Sequence, residues 1–308
     1  MAEMNETSRP FAVIAGATGN VGRATATALA QRGFRVVMLG RNQERLEDRA
    51  RSIEADLREA NPDFTGELIP VQIDLTDLAS IERAVDEIGR LSPVTDVLVL
   101  SAVTITQDGP TILPDGNEFM FSVNVLGQYR LAELLRPSVE AAQGIIAHVV
   151  APFHRDIDWD DLQSNRNHKS MVAYERSKTC HRSIAGEMAR RSDGGYTSFA
   201  FDPGFVIDKK DPDLAKRWPK GLMGLIWKLY AAVAAAPPAV AGEALADLVT
   251  DPSYRDHLNG AYYTQLRRRE KSEPAMIDIA FGARLWTELD ALAFPDTANE
   301  DANLSAGP

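Results

Sequence analysis

The sequence predicts an α/β fold built on one doubly wound, mostly parallel sheet. Three observations carry this. Short apolar runs alternate with segments of helical period from Phe11 onward, a glycine-rich turn joins the first run to the first helical segment, and no repeat or low-complexity linker divides the first 210 residues. Strands with a helix between each successive pair require right-handed crossovers, which place helices on both faces of the sheet.

The strand-like runs are "FAVIAG", "FRVVMLG", "LIPVQIDL", "VLVLSAV", "IIAHVVA" and "YTSFAFDPG". Each is short, apolar and bounded by turn residues, as strands buried on both faces are. Helical period fills Arg23 to Gln31, Glu44 to Ala60, Ile81 to Leu91, Phe119 to Leu135 and Ser170 to Arg191. The reading is one domain over residues 10–294, with a variable lid region at 208–240 and polar tails at 1–9 and 295–308.

Composition bounds the function. The 308 residues are 44% hydrophobic and 25% charged with one cysteine, the pattern of a soluble protein from a reducing compartment, and the expected location is cytoplasmic. A formal net charge of −11 argues against nucleic-acid binding, which selects for surplus Lys and Arg. The apolar stretch "GLMGLIWKLYAAVAAA" imitates a membrane anchor. It is interrupted by Lys228, ended by Pro237 and Pro238, and shorter than the roughly 20 residues a span needs. It reads as a buried or ligand-covering helix, so no membrane span is expected, and no metal is called for.

"FAVIAGATGNVG" sets Gly16, Gly19 and Gly22 between a strand and a helix beginning near Val21. Exposed backbone amides and a helix N-terminus form an anion site, and bare glycines let a pyrophosphate approach. Thr18 and Asn20 stand ready to add polar contacts. Arg41 follows the second strand, where an acidic residue would bind the ribose hydroxyls of NAD and an Arg accommodates the extra phosphate of NADP. NADP(H) is therefore preferred over NAD(H), against the blander reading of Arg41 as a solvated charge opening a helix. Asp74 ends the third strand and either meets the adenine edge or, like Thr76, caps the next helix.

Tyr174 and Lys178 lie four residues apart in "MVAYERSKTCHRSIAGEMARR", on one face of one helix. An ammonium beside a phenol stabilises the phenolate and lowers its pKa toward the range where Tyr exchanges protons with a carbonyl or alcohol.

Together these motifs resemble the short-chain dehydrogenase/reductases, a family with a Rossmann-type sheet. The matching elements are the glycine turn, "IDL" with Asp74 and Leu75, the Asn in "FSVNVLGQYRL", "YERSK" and "DPGFV". The resemblance implies Tyr174 as general acid, Lys178 holding the nicotinamide ribose and tuning the Tyr, and Asn124 supporting a relay water. It runs Pro203, Gly204 and Val206 beside the nicotinamide, and Ser101 and Ala102 along the cofactor. The segments "RWPKGLMGLIWKLYAAVAAAPPAVAGEALADLV", "NGAYYTQ" and "ARLWTELDALA" are similar to the retinol-dehydrogenase-like branch, so the resemblance spans about residues 10–294.

Three positions depart from the family pattern. Asn20 stands where the usual turn has its middle glycine, "LSAV" replaces an Asn-Asn-Ala-Gly stretch, and Val150 and Ala151 stand where a Ser hydrogen-bonds the substrate carbonyl. Losing such a donor costs on the order of 100- to 1000-fold in rate unless another compensates. His154 and the Ser and Asn residues of "DDLQSNRNHKS" are the candidate replacements, whereas His148, inside the strand, is expected to be packed. Ala151, His154, Phe205 and Trp227 are the substrate-side candidates.

Two functions follow. The first is an NADP(H)-dependent oxidoreductase acting on a carbonyl or alcohol of a lipophilic small molecule. Its apolar wall would be Leu222, Met223, Leu225, Ile226, Trp227 and Tyr230, residues that equally suit an ordinary core at helical spacing. The second is a tailoring enzyme of secondary metabolism on the same fold, a cyclase, isomerase or dehydratase without net hydride transfer. A homodimer or homotetramer is expected by resemblance.

Overall fold

The computed structural model describes residues 9–106, 109–166, 168–209, 235–270 and 274–295. Strands β1 (Phe11–Ala15), β2 (Arg35–Gly40), β3 (Glu67–Gln72), β4 (Val97–Leu100), β5 (Ile145–Val149), β6 (Thr197–Asp202) and β7 (Tyr262–Thr264) run parallel in the order β3-β2-β1-β4-β5-β6-β7. A short β8 (Arg269–Glu270) pairs antiparallel with β7. All six expected strands are present, in one mixed α/β unit with a single eight-stranded sheet.

Alternate residues of each strand face opposite layers, and both layers are buried. Val13, Val37, Leu98 and Ile146 pack into one, while Ile14, Val36, Val99 and Ala147 pack into the other. The first layer is closed by α3 (Leu78–Leu91), α5 (Gly127–Ala141), α6 (Ser170–Arg191) and α10 (Ile279–Ala293), and the second by α1 (Asn20–Gln31), α2 (Gln43–Ala60) and α7 (Pro238–Thr250). The short helices α8 (Pro252–Leu258) and α9 (Pro274–Ile277) complete the C-terminal part.

Three boundaries differ instructively from the sequence reading. The first helix opens at Asn20 with Gly19 as its N-cap, so Asn20 takes part in the helix rather than only in the turn. The third opens at Leu78 because the Asp77 carboxylate accepts the Ala79 amide; neither Asp74 nor Thr76 is that cap. The segment expected to be helical from Phe119 to Leu135 extends to Ala141, past Pro137. It begins as α4 (Phe119–Phe121) and passes through a π-turn, Ser122–Leu126, before α5. An extra residue in a helical turn was invisible to periodicity, and Asn124 sits inside it.

Most of the expected lid, including Trp227 and the apolar residues near it, lies outside the described residues. Of region 208–240, residues 208–209 and 235–240 are described. Among the described residues no helix is long and apolar enough to cross a membrane.

Candidate active site

Strand order reverses between β1 and β4, and the segments leaving these strands part at that point to form a crevice, the usual place for a ligand in such a sheet. Gly16 leaves β1 with φ +78°, and a Cβ there would stand 2.6 Å from the Cα of Ala102, just beyond β4. A Cβ on Gly22 would meet the Gly16 carbonyl at 2.5 Å and the Ser101 hydroxyl at 2.6 Å. The turn therefore lies directly on the end of β4, a packing that only bare backbone permits. Gly19 caps α1 without a side-chain acceptor, and the first turn has no acidic residue. The opening amides of Asn20, Val21 and Gly22 thus keep a positive electrostatic end. Thr18 and Asn20 make no side-chain hydrogen bond among the described residues.

Other cofactor-side candidates separate into outward and inward groups. The Arg41 guanidinium is exposed, lies 5.9 Å from the centre of the Phe119 ring and has no ion-pair partner among the described residues. Asn42, not Arg41, opens the following helix, its side chain accepting the Arg45 amide. Asp74 Oδ1 accepts both the amide and the hydroxyl of Thr76, which folds the turn after β3, and Leu75 is buried beneath it. Ser101 Oγ donates to the Ala15 carbonyl at 2.6 Å, which ties β4 to β1 and turns the hydroxyl inward. Ala102 is buried, and its carbonyl accepts from Gln128 Nε2.

At the end of β5, α6 presents Tyr174 and Lys178. Lys178 is buried and donates to the Val149 carbonyl at 3.1 Å, with Nζ 5.9 Å from the Tyr174 ring centre. Burial pulls the ammonium down to about 8, the Arg182 charge acts the same way, and Asp202 opposes them. The expected lowering of the tyrosine is corrected. Burial, followed by the negative charge of Asp202, pushes the Tyr174 phenol up to about 12. Desolvation outweighs a lysine that points at a backbone carbonyl instead of the phenol oxygen.

Asn124 holds the segment after β4. Its Oδ1 accepts the Thr104 amide at 2.8 Å, and its Nδ2 donates to the Thr104 carbonyl and, at 3.3 Å, to Ser177 Oγ on α6. Its side chain is a brace between two walls of the crevice. Past β6, Pro203 leads to Gly204 at φ +66°, with Phe205 and Val206 half-buried and Val206 bridged to Ala236.

The stretch after β5 carries no hydroxyl. Val150 and Ala151 are buried, and the carbonyls of Ala151 and Phe153 accept the two terminal nitrogens of Arg182. The Phe153 ring packs edge-on at 6.1 Å from Tyr174. His154 points elsewhere, its half-exposed ring 3.7 Å from the carboxylate of Asp156. His148 is packed as expected, 5.2 Å from His181 on α6, and burial holds it down to about 3.

Two residues near Tyr174 and Lys178 were given no role by the sequence. Asp202 is buried, accepts the Gly204 amide and, at 3.0 Å, the Tyr262 hydroxyl, and acts electrostatically on both Tyr174 and Lys178. Arg182 is fully buried. A signal existed for the latter: it stands four residues after Lys178, on the same helix face.

Residues 10–153 match the family model of the short chain dehydrogenases. The chain is 34% identical to human retinol dehydrogenase 14 over 205 residues, 63% of this chain and 61% of that one; the mouse protein is matched over 60% of its length. It is 29% identical to DnrU of Streptomyces sp. (strain C5), provisionally assigned as a daunorubicin C-13 ketoreductase, over 93% of each chain. Among solved structures, L-sorbose reductase from Gluconobacter frateurii, in complex with NADPH and L-sorbose, superposes with a TM-score of 0.64 at 20% identity, over 85% of this chain and 97% of that one. At that identity the likeness shows the fold alone.

Proposed function

The chain belongs to the short-chain dehydrogenase family, close to its retinol dehydrogenase branch, and from that premise we propose that it is an NADP(H)-dependent oxidoreductase interconverting a carbonyl and an alcohol on a lipophilic small molecule. One observation carries the reading. The bare-backbone turn at Gly16, Gly19 and Gly22 follows β1 and lies on the end of β4, and Lys178, one helical turn from Tyr174, reaches the end of β5, the neighbouring strand.

The residues present fit a dinucleotide. Gly16 and Gly22 let the turn close against Ala102 and Ser101, the start of α1, free of any side-chain cap, suits a pyrophosphate, and the exposed Arg41, with no ion-pair partner among the described residues, suits a phosphate on the adenosine ribose. The bound nicotinamide would supply or accept hydride. Tyr174, kept protonated by burial, would donate its proton to the substrate oxygen in reduction. Lys178, with an ionisation near 8, would return a proton to it, and Asn124 would hold the walls in register.

The lipophilic substrate is supported by exposed apolar side chains on the segments bordering the crevice: Val103 and Ile105 after β4, Phe153 after β5 and Met171 one turn before Tyr174. The relatives' names, retinol dehydrogenase and daunorubicin C-13 ketoreductase, point to an alcohol or a ketone. Ala151 favours a second reading, proton transfer without hydride transfer, because it supplies no donor to a substrate oxygen. NADPH deuterated at the transferable position decides between them. Deuterium appearing on the product carbon of a ketone or aldehyde panel is expected, and none on any member would remove the redox reading.

A further inference from the structure

The chain leaving β5 runs along α6 in a regular way. The Val149 carbonyl accepts Lys178 Nζ, the Ala151 and Phe153 carbonyls accept Arg182, and the Arg155 amide donates to Thr179 Oγ1. Every second residue from 149 to 155 is thus pinned to three side chains within one helical stretch, Lys178, Thr179 and Arg182. In an extended chain, carbonyls two residues apart face the same side, and the planar fork of an Arg spans such a pair where a lysine cannot.

We propose that Arg182 is a positioning residue of this site: its guanidinium fixes the stretch after β5, and so sets where Phe153 and Lys178 stand relative to Tyr174. The inference rests on the reading of Tyr174 and Lys178 as the proton-transfer pair. Its geometric content is a chain of contacts, from Arg182 through the Phe153 carbonyl to the Phe153 ring and then to the Tyr174 ring. Where a side-chain hydroxyl is missing at Ala151, the main chain at that residue is instead tied down from beneath.

The same guanidinium adds a positive charge beside Lys178. The groups around that ammonium are Tyr174, His181 and Arg182 on α6, His148 on β5, Asp202 on β6 and Tyr262 on β7. Both histidines are held neutral by burial, so Arg182 is the charge opposing lysine protonation and Asp202 the one favouring it. A residue that merely fills space would leave Lys178 ionisation where it is.

The test compares full-length wild type with Arg182→Gln and Arg182→Lys, each checked for folding by thermal melting and for NADPH binding by fluorescence. Lys178 ionisation is read without turnover from its Nζ resonance in 15N-lysine-labelled protein, assigned with Lys178→Met. In Arg182→Gln the titration midpoint is expected to rise, and in Arg182→Lys to stay near wild type. In both, kcat falls roughly 10- to 100-fold through misplacement of the pair. An unmoved midpoint in the glutamine variant, or unchanged kcat in a folded lysine variant, overturns the inference. Should wild type transfer no deuterium to any carbonyl, the functional reading fails by itself, and the Nζ midpoint still decides the role of Arg182.

Discussion

The two walls of the crevice are built by different chemistry. On the β1 and β4 side the working groups are backbone: amides at the start of α1, held against β4 by Gly16 and Gly22, with side chains such as Ser101 turned inward. On the β5 and β6 side they are side chains: Tyr174 and Lys178, whose ionisation is shifted by burial, and the buried Arg182 and Asp202 whose charges act on them. A backbone site tolerates side-chain variety and fails when space is filled. A buried ionisable site tolerates nothing that alters its neighbours' charges.

This contrast is open to attack at three points. Tyr174→Phe should produce the largest effect, a loss of turnover of roughly 100- to 10,000-fold with dinucleotide binding preserved; stopped assays with NADPH together with fluorescence titration check both halves. Loss of binding as well would mean the walls are not chemically separate. Gly16→Val should act in the reverse sense. It places a β-branched residue at φ +78° against Ala102, so a destabilisation of about 3 kcal/mol in chemical denaturation is expected, together with weakened dinucleotide binding. Arg41→Ala should have the smallest effect. It removes an exposed charge and weakens NADPH by about tenfold while leaving NADH unchanged, and equal losses for the two would remove the basis for an NADP preference.

The same contrast explains what could be read from the chain. The sheet and the glycine turn were legible because apolar runs, helical period and small residues are local signals. Asn42 and Asp77 as helix caps obey the same local rules, each an N-cap residue type lying one to three positions past Arg41 or Asp74. The environment of Tyr174 was not legible. Whether an ammonium lowers a phenol depends on where Nζ points, and Lys178 points at Val149, a residue 29 positions earlier. Arg182 was passed over because arginine on a helix usually faces water, and only the folded chain shows it beneath Ala151 and Phe153. The π-turn around Asn124 likewise depends on tertiary packing rather than on any local preference.

The neighbourhood of β1 and β4 also has a consequence for how the chain is made. Phe11 donates its amide to the Asp96 carboxylate, 85 residues away, and β1 pairs with β4 from Ala12 onward. During synthesis β2 can cover one edge of β1 early, but the other edge waits until β4 emerges. At roughly 5–20 residues per second that interval is about 4–17 s. Through it a buried-type strand, Phe11–Ala15, has one edge that its own chain cannot yet pair, and an unpaired edge is a template for another chain.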